Sequence, residues 1–429
     1  MRDSSGRGWP WVEGGGPNPT RRRDSMNICY VAPDVALPYF RGASTHVYEV
    51  SKNLTARGHR VSVVSRRVKR SQPRWERIDG FETYRTYQGV AFEPPMSSYG
   101  ASHTDREGYS PLQRLYSFYL GSYRAFQLGA EVATLMSGRG IDVVLERETA
   151  FGAGAVSSSL LGVPMVLEMI GPRVSPMSLK RASKVLAYSA RMAGGRVSRD
   201  KLELVPAGVD TERFTPDPDG RARVRSERNL GDEFVVGYVG TFQLWHGVQD
   251  IMTACSRLGS DQRVRALLVG PYFTDAMKLA KELGMENQTV FTGPVPYEEV
   301  PAYINACDVL CAPYDPGLSS MRSERGIGAP LKVLEYMSCG KPVVTTSVPP
   351  ITEVVDEGRT GLLVPPGDPD SLAEALRGLR NDPSRAGMIG VEARKEVVAR
   401  YSWSSLARTL EEALRSACLA SGRRMEDWN

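Results

Sequence analysis

The strongest constraint on the fold of this chain is a strand, loop and helix pattern that opens twice. The pattern first reads NICYVAPDV, ALPYFRGAS, THVYEVSKNLTARG and HRVSVVS, and it recurs as FVVGYVGTFQLWHGVQDIMTACSRL. More apolar strand segments follow each opening, namely IDVVLE, VPMVLEM and KVLAYS, then RALLVG, TVFTG, DVLCAPY, KPVVTT and GLLVP. Apolar strands that alternate with amphipathic helices are typical of a parallel sheet with helices on both faces. The duplication therefore predicts an α/β protein with two Rossmann-like domains facing each other across a cleft.

The boundary between the two domains is predicted in LELVPAGVDTERFTPDPDGRARVRSERNLGD, where two Pro-Asp steps and a charged run separate the halves. We assign residues 26–208 to the first domain and 209–401 to the second. Residues 67–110 hold two short strand candidates, FETYRTY among them, and then a polar stretch that predicts a mobile loop. Residues 1–25 carry no apolar run of the kind that export requires, so we expect a disordered leader.

Charge and cysteine usage exclude some classes of protein. A net charge of +5 over 429 residues fits a basic pocket for an anion, but it lacks the Lys/Arg density of nucleic-acid binding. No stretch approaches the ~20 apolar residues of a membrane span. The cysteines form no C-x-x-C pair, which indicates reduced, buried thiols and a cytoplasmic location. They are Cys29, Cys255, Cys307, Cys311, Cys339 and Cys418.

The segment GAPLKVLEYMSCGKPVV, residues 328–344, predicts a short helix and then a buried strand. Pro330 suits the first helical position, and Gly340 is the expected stop. At ~100° per residue, the side chains divide into two opposite faces. Val333, Leu334 and Met337 share the apolar face, whereas Lys332, Glu335 and Cys339 share the other.

Two charges on one face of this helix require a reason. In doubly wound folds, ligands bind beyond the carboxyl ends of the strands, where helix N-termini attract anions. Lys332, in the first turn, is suited to a diphosphate, and Glu335, one turn later, can accept hydrogen bonds from ribose hydroxyls. The alternative is a surface Lys-Glu pair, which contributes ~0.2–0.5 kcal/mol to the helix.

The histidines and the Asp-x-Asp segments suggest no metal site. His46, just after the first glycine loop, either faces an acceptor or has a structural role, and His59 caps a turn into a strand. His103 lies near Asp105 and Glu107 without a partner at a ligand spacing. The Asp-x-Asp matches that begin at Asp217 and Asp368 lie in proline-containing turns, which we interpret as solvated.

Seven stretches, which cover most of residues 26–403, carry a resemblance to one family. They are RGASTHVYEVSKNLTARGHRVSVV, VPAGVDTERFTPD, GYVGTFQLWHGV, TGPVPYEEVPAYINACDVLCAPY, GAPLKVLEYMSCGKPVV, EVVDEGRTGLLVPPGD and YSWSSL. Together and in this order they resemble the retaining glycosyltransferases of family 4, which have the GT-B fold.

The resemblance implies a hexosyltransferase that moves a sugar from a nucleotide diphosphate sugar, bound by the second half, to an acceptor hydroxyl, bound by the first. Retention of the anomeric configuration and independence of metals and cofactors are implied as well, as is a C-terminal helix in residues 402–429 that packs back on the first domain. UDP-linked glucose or N-acetylglucosamine is the default donor. The acceptor is open among small natural products, glycans and lipids.

Matched residue by residue, the resemblance assigns a donor site. Glu335 matches the second glutamate of the family's pair, which holds the ribose, and Val295 matches the backbone that reads the base. The glycine-containing loops match the family's loops that lie close to the donor's diphosphate. Their members and the adjoining donor-binding residues are Gly42, Gly240, Gly328, Ala329, Pro330 and Leu331.

The sequence also departs from the family pattern. The first glutamate of the pair falls on Ile327, and Glu324 does not match it. The arginine and lysine that neutralise the diphosphate fall on Thr241 and His246, which leaves Lys332 as the principal charge for the leaving group. Because no carboxylate stands out as a nucleophile, we expect front-face substitution, in which the departing phosphate oxygen accepts the acceptor's proton.

A further departure concerns the segment after IDVVLE. Where many relatives have a histidine, this chain has Arg147 between Glu146 and Glu148. Arg147 either faces the sugar or phosphate as a second catalytic candidate, or forms a structural pair with Glu168.

Two rival functions use the same features. A nicotinamide dehydrogenase would need a G-x-G-x-x-G in the first loop, which APDVALPYFRGAS lacks. A catalytically weakened scaffold or activator would explain the altered polar positions. The presence of both Lys332 and Glu335 argues against it.

Overall fold

Each half of the chain forms its own, mainly parallel sheet. The computed structural model describes residues 25–37, 42–69, 71–86, 111–148, 152–170, 174–188, 190–258, 263–271, 274–318 and 330–422. Within these ranges the first sheet has eight strands and the second has six. The predicted architecture of two Rossmann-like domains is confirmed.

The first sheet has the order β3-β4-β2-β1-β5-β6-β7-β8. All pairs are parallel except β3 with β4. Its strands are β1 (Asn27–Ala36), β2 (Arg60–Arg66), β3 (Trp75–Ile78), β4 (Phe81–Thr86), β5 (Val143–Arg147), β6 (Met165–Met169), β7 (Lys184–Ala187) and β8 (Leu202–Leu204). The central strand β1 is buried on both faces at its start, which explains its continuous apolar run.

The helices of the first half connect these parallel strands. They are α1 (Gly42–Ala56), α2 (Pro111–Met136), α3 (Ala153–Leu161), α4 (Pro176–Arg181) and α5 (Ala190–Ala193). Helix α1 runs from the end of β1 toward β2, so its first turn lies at the carboxyl edge of the sheet. That position suits a ligand site.

The second sheet is all parallel and has the order β11-β10-β9-β12-β13-β14. This is the doubly wound order, and the chain reverses direction between β9 and β12. The strands are β9 (Phe234–Val239), β10 (Val264–Val269), β11 (Thr289–Gly293), β12 (Val309–Ala312), β13 (Val343–Thr346) and β14 (Leu362–Val364). The helices are α6 (Pro218–Glu227), α7 (Val248–Arg257), α8 (Thr274–Glu282), α9 (Val300–Ala306), α10 (Leu331–Ser338), α11 (Pro369–Asn381) and α12 (Pro383–Arg400).

The last described helix, α13 (Trp403–Ala420), packs on the first half although it follows the second half in sequence. Its leucines Leu406, Leu410 and Leu414 are fully buried in the core of the first sheet. Burial of each contributes about 1.5–3 kcal/mol. At its charged side, Glu411 forms an ion pair with Arg57, and Nε2 of His59, a ring whose pKa burial lowers, lies 3.4 Å from a Glu411 oxygen.

The two chain crossings between the halves lie side by side. The amide of Val209 donates to the Tyr401 carbonyl at 2.8 Å, and the Trp403 amide donates to Val209 at 3.3 Å. A Cβ on Gly208 would lie 2.1 Å from the Trp403 ring, so only glycine fits there.

Several local predictions can be compared with the structure. Every strand segment quoted above forms a strand, and the six cysteines are free and buried. Asp217 and Asp368, interpreted as solvated turn residues, are both half-exposed and immediately precede a helix. Each side chain accepts backbone N–H bonds as the N-cap of a helix, ahead of a proline at the first helical position. None of the helices in the described ranges is both long and apolar enough to span a bilayer.

Candidate functional site

Helix α10 separates a core face from a charged face. Val333, Leu334 and Met337 are fully buried, whereas Lys332 and Glu335 are half-buried on the opposite side. The assignment of Cys339 to the charged face is wrong, although its burial is as predicted. Its side chain is only 1% exposed because the helix ends at Ser338, and Cys339 turns into the core before the left-handed Gly340.

Two further residues fix the position of α10. Pro330 is the N-cap of the helix rather than its first residue. Tyr336, fully buried, both donates to the Val239 carbonyl and accepts from the Val239 amide, each at 2.8 Å. Because Val239 is the last residue of β9, helix α10 is tied through Tyr336 to the carboxyl end of that strand. This is the point of strand reversal at which ligands bind in such sheets.

The Lys332 ammonium lies between two aromatic rings. Its Nζ is 4.6 Å from the ring centroid of Tyr238 and 5.1 Å from that of Tyr314, and it donates to the Tyr238 hydroxyl at 2.8 Å. Burial lowers the pKa of Lys332, and the Glu335 carboxylate opposes this shift. A cation held on ring faces and partly removed from water is well placed to bind an anion.

The loop after β9 completes this arrangement. The Thr241 carbonyl accepts from the Tyr238 hydroxyl and from Nδ1 of His246, each at 2.6 Å. The His246 ring is 7% exposed, and burial, followed by repulsion from Lys332, lowers its pKa to about 4. His246 is therefore neutral near pH 7, with its proton on Nδ1. As the sequence predicts, neither Thr241 nor His246 supplies a positive charge here.

Gly240 is the point where this loop requires a glycine. Its φ is +150°, and a Cβ there would lie 3.1 Å from Lys332 Nζ and 3.2 Å from the Tyr238 hydroxyl. The lysine therefore reaches across the loop at the place where Gly240 has no side chain.

Glu335 lies at the junction of the two halves. A cavity of about 60 Å³ is lined by the first half and the linker through Thr45, Gly208 and Trp403, and by the second half through Leu331 and Glu335. Burial raises the pKa of Glu335, and Lys332 opposes this shift. The carboxylate is thus open to a space between the domains, as a ribose contact would require.

The other donor-site candidates are only partly described. Val295 follows β11 and is half-buried against the core of the second half. Gly42 begins α1 at the carboxyl edge of the first sheet. The predictions for Gly328 and Ala329, and the departure at Ile327, lie outside the described residues. So do Glu324, His103 and the Gly/Ser-rich part of the loop predicted before residue 110.

In the first half, His46 belongs to a closed hydrogen-bonded cluster. The ring is 5% exposed, its Nε2 lies 3.1 Å from a carboxylate oxygen of Glu168, and its Nδ1 lies 3.3 Å from the Tyr188 hydroxyl. The Tyr30 hydroxyl donates to the other oxygen of Glu168, and Trp403 meets the histidine edge-on at 5.5 Å between centroids. An acceptor contact by His46 stays a prediction.

Arg147 has a different partner from the one proposed. It forms an ion pair with Asp34 at 3.0 Å, whereas Glu168 bonds to His46 and Tyr30. The alternative of an Arg147–Glu168 ion pair is therefore wrong. The Asp34 side chain is 54% exposed but the Arg147 side chain is only 13% exposed, so the pair lies at the ends of β1 and β5 with its guanidinium largely covered.

The larger cavity of the second half is a separate feature. It measures about 850 Å³ and lies beside the C-terminal end of α10, lined by Lys341 and Arg394 among others. Both side chains donate to backbone carbonyls, Lys341 to Asn305 and Arg394 to Phe214. These cations therefore serve as hydrogen-bond donors to backbone carbonyls of the protein itself.

No group of three or more metal-ligating side chains occurs in the part of the chain that the structure describes. What the described residues assemble is one half-buried cation, one carboxylate and a close glycine backbone at a helix N-terminus. This arrangement suits a phosphorylated ligand with a neighbouring polyol.

Tyr238 and Tyr314 belong to this site but are not among the residues predicted from the sequence. Tyr238 lies two residues before Gly240 in FVVGYVG, and residues two apart share one face of a strand. That spacing could have placed its hydroxyl at the loop. No comparable signal identifies Tyr314, which follows β12 in APYD.

Two family models match the chain. The model described as Glycosyltransferase Family 4 matches residues 40–213, and the model described as Glycosyl transferases group 1 matches residues 233–382. Together they span most of the chain.

Curated relatives have similar sequences over about half of the chain. A GDP-mannose-dependent alpha-(1-6)-phosphatidylinositol monomannoside mannosyltransferase of Mycolicibacterium smegmatis is 35% identical over 226 residues, which are 52% of this chain and 57% of the relative. A D-inositol 3-phosphate glycosyltransferase of Corynebacterium jeikeium is 33% identical over 49% of this chain and 51% of the relative. The chain thus spans about half the length of the curated relatives it matches.

Solved structures extend the likeness to the whole fold. A sucrose-phosphate synthase from Thermosynechococcus elongatus superposes with a TM-score of 0.69 at 19% identity, over 92% of this chain and all of that one. A glycosyltransferase from Rickettsia africae gives a TM-score of 0.70 at 16% identity, over 92% of this chain and 99% of that one. At these identities the likeness concerns the fold alone.

Proposed function

Because the chain belongs to the family 4 and group 1 glycosyltransferases, we propose that it transfers a sugar from a nucleoside diphosphate sugar to an acceptor hydroxyl, with retention of anomeric configuration. The second half holds the donor, and the first half holds the acceptor. No metal ion and no cofactor takes part.

One observation carries this proposal. The Lys332 ammonium and the Glu335 carboxylate share one face of α10, at the carboxyl end of β9 and beside the cavity that both halves line. A cation and a carboxylate one helical turn apart match a diphosphate and a ribose, which are also neighbours in a nucleotide. The lysine of an ordinary surface Lys-Glu pair would not be half-buried between two tyrosine rings, as Lys332 is.

The chemistry follows from charge. As the sugar leaves, negative charge grows on the terminal phosphate oxygens, and a preorganised cation that is partly removed from water stabilises that charge most at the transition state. Lys332 is the described residue placed for this role. Arg147 is the second candidate, and its pair with Asp34 at the edge of the first half would have to open for it to act.

Front-face substitution gives retention without a protein nucleophile. The acceptor hydroxyl attacks from the side of the leaving group, and the departing phosphate oxygen takes its proton. The protein then contributes position and electrostatic stabilisation, which the two-domain cleft can supply. The Glu168 carboxylate of the first-half cluster is hydrogen-bonded to Tyr30 and His46 and has a structural role.

The names of the relatives guide the choice of substrates. GDP-mannose is the first donor to test, ahead of the UDP-linked glucose and N-acetylglucosamine expected from the resemblance. The names of both relatives contain inositol, so an inositol phosphate and a phosphatidylinositol mannoside are the first acceptors.

The test is a matrix of these three donors against these two acceptors, with mass spectrometry of products and release of nucleoside diphosphate as readouts. We expect at least one transfer product, with the donor's anomeric configuration by NMR and full activity after chelator treatment. Strict dependence on a divalent metal, or inversion, would contradict the mechanism. Binding of nucleoside diphosphates without transfer would favour the scaffold alternative.

A further inference from the structure

The position of Lys332 depends on a residue that lies behind it. Tyr238 is fully buried in β9, and its hydroxyl accepts a hydrogen bond from Lys332 Nζ at 2.8 Å. The same hydroxyl donates to the Thr241 carbonyl at 2.6 Å. Because a tyrosine hydroxyl has one proton, donation to Thr241 leaves its lone pairs for the ammonium.

His246 fixes the direction of this chain of hydrogen bonds. Its Nδ1 lies 2.6 Å from the Thr241 carbonyl and 3.0 Å from the Tyr238 hydroxyl. A neutral imidazole with its proton on Nδ1 donates to the carbonyl and offers no lone pair on Nδ1 to the tyrosine. The Tyr238 proton therefore also points to Thr241.

Tyr314 supports the same ammonium in another way. Its ring faces Nζ at 5.1 Å and stacks on Trp245 at 5.7 Å between centroids. The attraction between the ammonium and the Tyr314 ring face depends little on direction. The hydrogen bond to the Tyr238 hydroxyl, in contrast, fixes the direction of one N–H group of the lysine. The two tyrosines thus give a matched pair for an experiment.

Resting on the proposed function, we propose that Tyr238 is a positioning residue. Its hydroxyl, fixed by the Thr241 carbonyl, holds the Lys332 ammonium over Gly240, where the diphosphate of the donor approaches. With this relay the chain uses one oriented lysine where the family pattern has an arginine and a lysine.

The test compares Tyr238→Phe with Tyr314→Phe. Each change removes one hydroxyl and keeps the ring. Loss of a hydrogen bond to a charged group costs about tenfold or more in rate when the bond orients the reacting charge. We expect Tyr238→Phe to lower kcat about tenfold with the donor KM within about twofold of wild type, since the ring still holds the lysine, and Tyr314→Phe, which keeps the ring that faces Nζ, to lower kcat by less than Tyr238→Phe does.

A double-mutant cycle separates positioning from general structural damage. If Tyr238 acts through Lys332, then Tyr238→Phe makes no further change to kcat in a Lys332→Met background. An equal loss of kcat with and without Lys332 would overturn the inference. Thermal unfolding of each variant shows whether the fold is kept.

The two proposals fail in different ways. Calorimetric titration of the wild-type chain with GDP and UDP tests the donor site first. If the wild type neither binds these nucleotides nor transfers sugar, the proposed function fails and the inference with it. If the wild type is active and Tyr238→Phe matches it in kcat, only the inference about Tyr238 is wrong.

Discussion

The two halves of the molecule each bury a histidine shortly after their first strand, and the two sites differ in charge. His46 in the first half lies against the Glu168 carboxylate, whereas His246 in the second half lies near the Lys332 ammonium. Each histidine also meets a tyrosine hydroxyl, from Tyr188 and Tyr238 respectively. The same fold therefore builds an acid-centred cluster in one half and a cation-centred cluster in the other.

The difference shows how one topology can serve two tasks. In the first half, both oxygens of Glu168 are bonded within the protein, so this cluster is complete without a ligand. In the second half, the tyrosine and the histidine direct their protons to one carbonyl and leave the lysine as the exposed end of the chain of bonds. We therefore expect changes in the first cluster to affect stability and changes in the second to affect catalysis.

The largest effect is expected for Lys332→Met. Removal of a preorganised cation from a developing phosphate charge typically costs ~10²–10³-fold in turnover, or ~3–4 kcal/mol. The melting temperature should stay near that of wild type, since methionine keeps the apolar stem and removes a partly buried charge. Steady-state kinetics on the working donor and acceptor measure the effect.

The control for this variant is Lys395→Met. Lys395 lies in the same half on α12, is 67% exposed and pairs with Glu392. Its replacement should change neither turnover nor stability measurably. If Lys332→Met lowered turnover by no more than a few-fold, and by no more than the control does, Lys332 would be an ordinary surface lysine.

For the first half, we expect Glu168→Gln to destabilise the fold by about 1–3 kcal/mol, because a buried acceptor of two hydrogen bonds becomes a mixed donor and acceptor. The affinity for nucleoside diphosphates should not change. Thermal unfolding and calorimetric titration with GDP measure the two quantities. An unchanged melting temperature together with weaker nucleotide binding would reverse the roles assigned to the two clusters.

The pH dependence of nucleotide binding should also distinguish the role of the second half from that of the first. Since burial lowers the pKa of Lys332, the ammonium that attracts the diphosphate is lost as the pH rises through and above 7. The groups that face it are Glu335 from its own helix, Tyr238 from β9, Tyr314 after β12 and His246 from the loop. Above pH 7.5, His246 is neutral and the raised pKa values of both tyrosines keep them protonated.

We expect the affinity for GDP to fall several-fold between about pH 7.5 and 8.5, where the diphosphate is already fully ionised, as Lys332 loses its charge and Glu335, whose pKa burial raises to about 7, completes its ionisation. The dependence should be much weaker in Lys332→Met, where only Glu335 still titrates. A fall of equal size in that variant would assign the titration to another group.

The smallest effect is expected for Glu335→Gln. A neutral amide still accepts a hydrogen bond from a ribose hydroxyl but without the added strength of a charge, so affinity for GDP and for the donor should weaken by a few-fold to about tenfold. Turnover at saturating donor should change less, because the ribose contact is made before and during the reaction alike. A selective loss of kcat would place Glu335 nearer the reacting sugar.

The sequence predicted well what depends on periodicity. The β-branched runs identified the strands of both sheets, and the 3.6-residue period gave the core face of α10 with Val333, Leu334 and Met337. Sequence patterns did not predict the contacts between side chains that are far apart along the chain. The pairing of Arg147 with Asp34, and the hydrogen-bond relay from Lys332 through Tyr238, depend on side-chain directions at strand ends that local patterns do not contain.

The central claim is that the second half binds the donor diphosphate at the Lys332 ammonium. A crystal structure of the chain with GDP tests it most directly. We predict a terminal phosphate oxygen at about 2.7–3.0 Å from Lys332 Nζ, with the ribose hydroxyls against Glu335. Nucleotide bound elsewhere, with Lys332 still directed only at Tyr238 and no phosphate within reach of it, would contradict the account.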